Sequence, residues 1–162
     1  MIEFIGNIED FWSNHLASHE YVRQVPFTGM RKDWHDNYNR DHLLQSFNDE
    51  LPYIWKQFYT VLDVEEGSVA WTCILPNRIL PPHYDTFYTL QQQMKVPMEQ
   101  CVRYSIFLDD YEFGQYVQFD DVALNTWKKG DIWVFDSDVR HWAANASNVN
   151  FHTCQVSTLR KI

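Results

Sequence analysis

Cysteine is scarce in this chain and follows no pattern. Cys73, Cys101 and Cys154 are odd in number and none falls in a CxxC spacing. That argues against a disulfide framework and reads as buried, reduced thiols of a cytoplasmic protein. Basic residues are also few, 13 Lys and Arg against 22 Asp and Glu, for a net charge of −9. Five basic and twelve acidic residues lie up to Glu66, and eight and ten lie beyond it, so the acidity is concentrated N-terminally. No basic stripe is present for a phosphate backbone, and nucleic acid is not an expected partner. No apolar run approaches the roughly 18 residues of a membrane span. The opening Met1-Ile-Glu-Phe4 has no basic region and no long apolar stretch behind it, so no signal peptide is expected. Internal repeats and low-complexity tracts are missing too. What remains is 162 residues, 45% hydrophobic and 17% aromatic. This suffices for a single folded domain with a real core.

The spacing of Ile8, Phe11, Trp12 and Leu16 predicts a short amphipathic helix over residues 8–18. His15 and His19 lie four apart on it, but no Glu follows His15 to complete a helical zinc motif, so both read as surface residues. Pro26 and Gly29 mark a loop, and the polar stretch Lys32–Asp41 reads as a solvated segment that could border a substrate entrance. Asp41 is placed as an N-cap. Leu43, Leu44, Phe47, Leu51, Ile54, Trp55 and Phe58 predict a helix running to about Val61, with Pro52 as a potential break.

After Asp63-Val-Glu-Glu-Gly67 the texture changes. Short runs rich in β-branched and aromatic residues follow at 68–75, 79–84, 101–108, 115–119, 131–136, 141–146 and 151–158. Helices followed by about seven strands predict an α+β fold with helices packed on one side of an antiparallel sheet or barrel. Residues 1–66 form a mainly helical support region in this reading, and 67–162 form the β core. Closing such strands into a jelly roll leaves a pocket at its mouth.

The stretch Leu80-Pro-Pro-His-Tyr-Asp-Thr86 opens that half. On an extended backbone residues i and i+2 share a side, so His83 and Asp85 project together. One further histidine completes a two-His, one-carboxylate set that leaves metal positions open, as in non-haem Fe(II) oxygenases. His-x-Asp alone is weak evidence. Downstream, Trp127-Lys-Lys-Gly-Asp-Ile-Trp-Val-Phe-Asp136 reads as a turn and a strand, with Gly130 supplying positive φ and Asp131 bonding the turn backbone. The chain then delivers His141, followed by Trp142-Ala-Ala-Asn-Ala-Ser147, small residues that let the backbone approach a ligand. Taken alone, His141 also fits a half-buried strand histidine.

Four segments in order, Arg103-Tyr-Ser-Ile-Phe-Leu-Asp-Asp110, Phe113-Gly-Gln-Tyr116, Trp127–Asp136 and Arg140-His-Trp-Ala-Ala-Asn-Ala-Ser147, resemble the double-stranded β-helix of the 2-oxoglutarate/Fe(II)-dependent oxygenases. The chain is most similar to the aspartyl/asparaginyl β-hydroxylase-like branch and to related small phage-encoded oxygenase-like proteins, over roughly residues 80–160. The resemblance implies a jelly-roll, cupin-like barrel and Fe(II) held by His83, Asp85 and His141. It further implies 2-oxoglutarate and O2 as co-substrates, and hydroxylation as the reaction. The hydroxylase branch often lacks the acidic ligand, whereas this chain keeps Asp85.

One residue departs from the pattern. The family places an arginine about ten positions after the second histidine to pair with the distal carboxylate of 2-oxoglutarate. Phe151 stands there instead, and His152 beside it faces the opposite way on a strand. Arg103 is the substitute candidate for the co-substrate, or it pairs with Asp109, Asp120 or another local acid. Tyr104, Thr153, Gln155 and Ser157 are lesser candidates for the same pocket, and Tyr84 and Trp142 are candidates for substrate contact. Two other classes stay open: a cupin-like metal enzyme that uses no oxo acid, and a non-catalytic binding barrel. The substrate, a small molecule or a peptide, and the oligomeric state are not readable from the sequence.

Overall fold

The computed structural model describes residues 1–24 and 43–160. Eleven strands are assigned among them: β1 (Ile2–Asn7), β2 (Arg23–Gln24), β3 (Leu43–Phe47), β4 (Ser68–Ile74), β5 (Arg78–His83), β6 (Cys101–Phe107), β7 (Gln115–Phe119), β8 (Val122–Leu124), β9 (Asp131–Asp136), β10 (His141–Asn145) and β11 (Phe151–Leu159). A seven-stranded sheet has the order β1-β9-β6-β11-β4-β3-β2, and a four-stranded sheet the order β5-β10-β7-β8. All pairings are antiparallel. From β4 to β11 the chain crosses repeatedly between the sheets, with β4, β6, β9 and β11 in the large one and β5, β7, β8 and β10 in the small one. This interleaving is a jelly-roll double-stranded β-helix. The expected α+β barrel with helices on one sheet is what the chain adopts, and the seven expected strands match β4–β7 and β9–β11 to within a residue at each end.

Alternation along the large sheet separates two cores. On its outer face Val69, Trp71, Ile106, Cys154 and Val156 pack against Trp12, Leu51, Trp55, Phe58 and Tyr59 of the N-terminal region. On its inner face Ile74, Phe107, Phe135 and Phe151 meet Leu80, Val117, Phe119 and Ala143 of the small sheet. The helices on the outer face are short: α1 (Ser13–Ser18) and α2 (Gln57–Leu62), the latter preceded by a 3-10 turn over Tyr53–Lys56. A third, α3 (Tyr88–Met94), follows the His-x-Asp stretch. Asp10 caps the entry to α1, accepting hydrogen bonds from the backbone N–H groups of Trp12 and Ser13 at 3.0 and 2.9 Å. The indole of Trp12 donates to the Leu108 carbonyl at 3.0 Å, which ties that helix to the barrel.

The N-terminal region is less helical than expected. Leu43–Phe47 is not the first turn of a helix but strand β3, paired residue for residue with β4 from Leu43↔Ile74 to Phe47↔Ala70. The edge of β4 exposes a row of unpaired backbone groups, and filling it outweighs the local helical spacing. After β3 a 3-10 turn over Asn48–Glu50 leads to Leu51, and helix resumes after Pro52, with Leu51, Trp55 and Phe58 facing the core. Strand β1, unforeseen from the sequence, extends the other edge by pairing with β9. The Lys32–Asp41 loop, the Pro26–Gly29 turn and the Asp41 cap lie outside the described residues.

Gly130 closes the turn before β9 as anticipated. Its φ is +88°, its N–H donates to the Phe107 carbonyl at 2.8 Å, and its carbonyl accepts from Ile8 N–H at 3.0 Å. Asp131 accepts from Lys128 N–H at 2.9 Å. A Cβ at position 130 would meet the Ile8 carbonyl oxygen at 2.2 Å. Gly130→Ala is therefore expected to cost at least about 2 kcal/mol, from positive φ and the forced parting of β1 from the turn. Urea denaturation of the variant measures it.

Candidate metal centre

The small sheet carries the two histidines. His83 ends β5 and His141 begins β10, and they are direct cross-strand partners with ring centroids 4.2 Å apart. Asp85, two residues beyond His83, returns to the same side. Candidate ligand atoms of the three side chains all lie within 4.8 Å of one another. The separations from Asp85 are 3.9 Å from Oδ1 to His83 Nε2 and 3.6 Å from Oδ2 to His141 Nε2. A metal with ligands at about 2.1 Å in mutually perpendicular directions spaces them about 3.0 Å apart, so the ligand atoms, all within 4.8 Å of one another, need to close by less than about 2 Å.

The hydrogen bonding fits the same purpose. His83 Nδ1–H donates to the Pro81 carbonyl at 2.8 Å, and His141 Nδ1–H to the Val139 carbonyl at 3.2 Å. Backbone acceptors on Nδ1 fix the tautomer and aim each Nε2 lone pair into the centre. His141 Nε2 and Asp85 Oδ2 are buried and have no hydrogen-bond partner among the described residues. Such orphaned acceptors are costly in a packed interior, and a shared cation satisfies both. Burial, then the neighbouring His141, pushes His83 down to about 4, and burial lowers His141 as well. Both rings are thus neutral, the form that binds metal. Burial works to raise the Asp85 carboxyl, but the Arg103 guanidinium beside it holds it below the ordinary carboxylate range. Two neutral imidazoles and one ionised carboxylate suit a divalent transition metal.

Arg103 comes from β6 of the opposite sheet. Its Nη1 donates to Asp85 Oδ1 at 2.8 Å and to Gln155 Oε1 at 3.0 Å, and its Nε donates to Ser157 Oγ at 3.1 Å. The Phe87 ring covers the guanidinium, with Cζ 5.1 Å from its centroid. Phe87 adopts φ +50°, a left-handed conformation that an aromatic residue holds only where its surroundings impose it. Arg103 therefore pairs with the candidate ligand Asp85 rather than with Asp109 or Asp120. Asp109 is taken by His152, on the outer face of the large sheet.

Other expected site residues divide by strand face. Gln155 and Ser157 line the interior and hold Arg103, and Thr153 lies one step deeper, its Oγ1 2.5 Å from Thr72 Oγ1. Tyr104 does not join them. It follows Arg103 on β6, faces the opposite way and packs on the outer core. Trp142 is likewise outside the barrel, because it alternates with inward-facing His141 and Ala143 and packs on Tyr116 at 4.9 Å. Tyr84 sits between two inward side chains, points outward and is 58% exposed beside the triad. Thr72 and the seating of the Phe87 ring on the guanidinium carried no sequence signal, whereas Ser105 shares a strand face with Arg103.

Interleaved sheets enclosing a His-x-Asp pair and a distal histidine define the cupin-type class of metal-dependent oxygenases and hydroxylases. Within it the chain belongs to the aspartyl/asparaginyl β-hydroxylase family, whose sequence profile matches residues 7–150. Among solved structures it is similar to a prolyl-4-hydroxylase from Pseudomonas putida, at 13% identity over 74% of this chain and 72% of that one, with a TM-score of 0.54. It is also similar to a predicted oxalate decarboxylase from Thermotoga maritima, at 14% identity over 73% and 81%, TM-score 0.46. A third is the Cupin_2 domain of an XRE family transcriptional regulator from Enterobacter cloacae, at 8% identity over 74% and 99%, TM-score 0.47. At these identities the likeness is one of fold. No curated protein matches the sequence. Among the described residues no helix is long and apolar enough to cross a membrane.

Proposed function

We propose that the protein is a non-haem Fe(II)-dependent dioxygenase that uses a 2-oxo acid to hydroxylate a C–H bond of a small molecule or peptide. His83, Asp85 and His141 are its metal ligands in this reading. The observation that carries it is the pair of buried, unpartnered acceptors, His141 Nε2 and Asp85 Oδ2, converging with His83 at the mouth of the barrel. Family membership supports hydroxylation, and 2-oxoglutarate is the co-substrate that the resemblance implies. Bound there, Fe(II) would activate O2, placing one oxygen atom in the product hydroxyl and the other in the carboxylate left when the oxo acid loses CO2.

The chain's own residues do the positioning. Arg103 keeps Asp85 ionised and oriented, and Gln155, Ser157 and Phe87 keep Arg103 in place. Its Nη2 makes no hydrogen bond to a described residue, so that edge of the guanidinium can meet an oxo-acid carboxylate. Phe135 and Phe119 pack within 4.8 and 6.1 Å of the His141 ring and exclude water from the inner side. Tyr84 stands where a substrate would arrive.

Protein supplied with Fe(II), ascorbate, O2 and an oxo acid is expected to release CO2 even without its true substrate, and His83→Ala is expected not to. If no oxo acid yields CO2 while His83→Ala still loses metal, the barrel is a metal protein of another chemistry.

A further inference from the structure

Residues 84–96 leave the small sheet after His83, form α3 and lead toward β6. They pair with no strand among the described residues. Their buried side chains are Asp85, Phe87 and Leu90. Phe87 and Leu90 join Cys101, with Met94, Val96 and Met98 packed around them, in a small cluster separate from both sheet cores. Leu90 seats against Gly67, where an added Cβ would come within 3.0 Å of its Cδ1. Both ends of α3 are left-handed, with φ +50° at Phe87 and +54° at Lys95, conformations that residues other than glycine hold only where their surroundings impose them.

The polar attachment is narrower still. Gln91 bonds within the segment, its Nε2 donating to the Thr86 carbonyl at 2.6 Å and its backbone N–H to the Phe87 carbonyl at 2.9 Å. Among the described residues a single hydrogen bond joins residues 84–96 to the rest of the chain, from Arg103 Nη1 to Asp85 Oδ1 at 2.8 Å. A segment with so few outward bonds and so small a core belongs to the part of a fold that opens locally. Its one polar tether is a candidate metal ligand. Opening would carry Asp85 away from His83 and His141 and lift the Phe87 ring from the guanidinium. Metal held by all three ligands favours the closed segment, because the open one leaves it two histidines. By linkage, whatever opens the segment weakens metal binding by the same factor.

We infer that residues 84–96 are a metal-responsive strap over Arg103. Loading the triad locks it shut, and emptying the triad frees it to open. The wall beside Arg103 is therefore firm only in the loaded protein. This rests on the metal-site reading above and adds a regulation to it.

Hydrogen–deuterium exchange read by mass spectrometry compares the metal-free protein with its Ni(II) form. Peptides covering α3 are expected to exchange at least about tenfold more slowly with Ni(II), while α2 on the outer face changes by less than about twofold. Leu90→Ala loosens the apolar seat without touching a ligand, and by reciprocity is expected to weaken Ni(II) binding at least about fivefold. Leu90→Met refills the seat and is expected to restore affinity to within about twofold. If Leu90→Ala does not fold, the wild-type exchange decides alone. Equal slowing in α2 and α3, no slowing in α3, or unchanged Ni(II) affinity in folded Leu90→Ala overturns the strap and leaves the metal site standing. Failure of the wild type to bind Ni(II) removes the metal reading and the strap with it.

Discussion

Replacing His141 with alanine is expected to abolish tight binding of Fe(II), Mn(II) or Ni(II) and to leave the fold in place. The ring is 4% exposed, its Nδ1 is committed to the Val139 carbonyl, and its Nε2 has no hydrogen-bond partner among the described residues. Removing it leaves two donors from one short stretch of chain. The dissociation constant for metal is expected to rise by more than the roughly 10–100-fold that follows loss of a mere supporting hydrogen bond to a ligand. The cavity left beside Phe135 and Phe119 lowers stability by about 1–2 kcal/mol, too little to unfold a domain of this size. Calorimetric titration of metal, with circular dichroism as the check on folding, reads both. His152→Ala is the control. That ring lies on the far side of the large sheet, and metal affinity is expected to be unchanged. Retention of metal by His141→Ala would take this side chain out of the centre.

Arg103→Ala is expected to destabilise the metal-free protein much more than the metal-loaded one. In the apo state Arg103 is the cation hydrogen-bonded to Asp85, at 2.8 Å, and both side chains are largely buried. Removing one partner of a buried pair strands the other charge, with an expected cost of about 3 kcal/mol or more. For a chain of this length that is a fall in Tm of about 6–12 °C. A divalent metal at the triad supplies a second positive neighbour to Asp85, so added metal should restore more stability to the variant than it adds to the wild type. Combining Arg103→Ala with Asp85→Asn should cost less than the sum of the two. Equal losses with and without metal would mean that Arg103 works through its packing on Phe87 and not through Asp85.

Much of this site could be read from side-chain alternation alone. His83 and Asp85 share a face because they are two apart on extended chain, and His152 was turned away from the interior by the same rule. Applied to their neighbours, that rule also removes Tyr104 and Trp142, each adjacent to an inward-facing residue and so on the wrong side. The contact between Arg103 and Asp85 was hidden for another reason. It joins β6 of the large sheet to the loop that follows β5, across 18 positions of sequence. Local periodicity carries no information about which strands a jelly roll brings face to face. Leu43–Phe47 failed for a related reason, since its partner is the edge of β4 and a tertiary vacancy there overrides helical spacing. The left-handed backbone at Phe87, which sets its ring over the guanidinium, has no sequence signature in an aromatic residue.

Strand β11 occupies the middle of the seven-stranded sheet, between β4 and β6, although it is the last strand of the described chain. A ribosome therefore releases both histidines and Asp85 before the segment that completes the sheet. Until Phe151–Leu159 emerges, β4 and β6 have no common neighbour, and Arg103 lacks Gln155 and Ser157. Assembly of the barrel must wait for that final insertion, which places this chain among slow, non-local folders. Loss of Phe151–Leu159 would remove the sheet's centre rather than fray its edge. Binding competence at the triad is thus gated by the arrival of Phe151–Leu159.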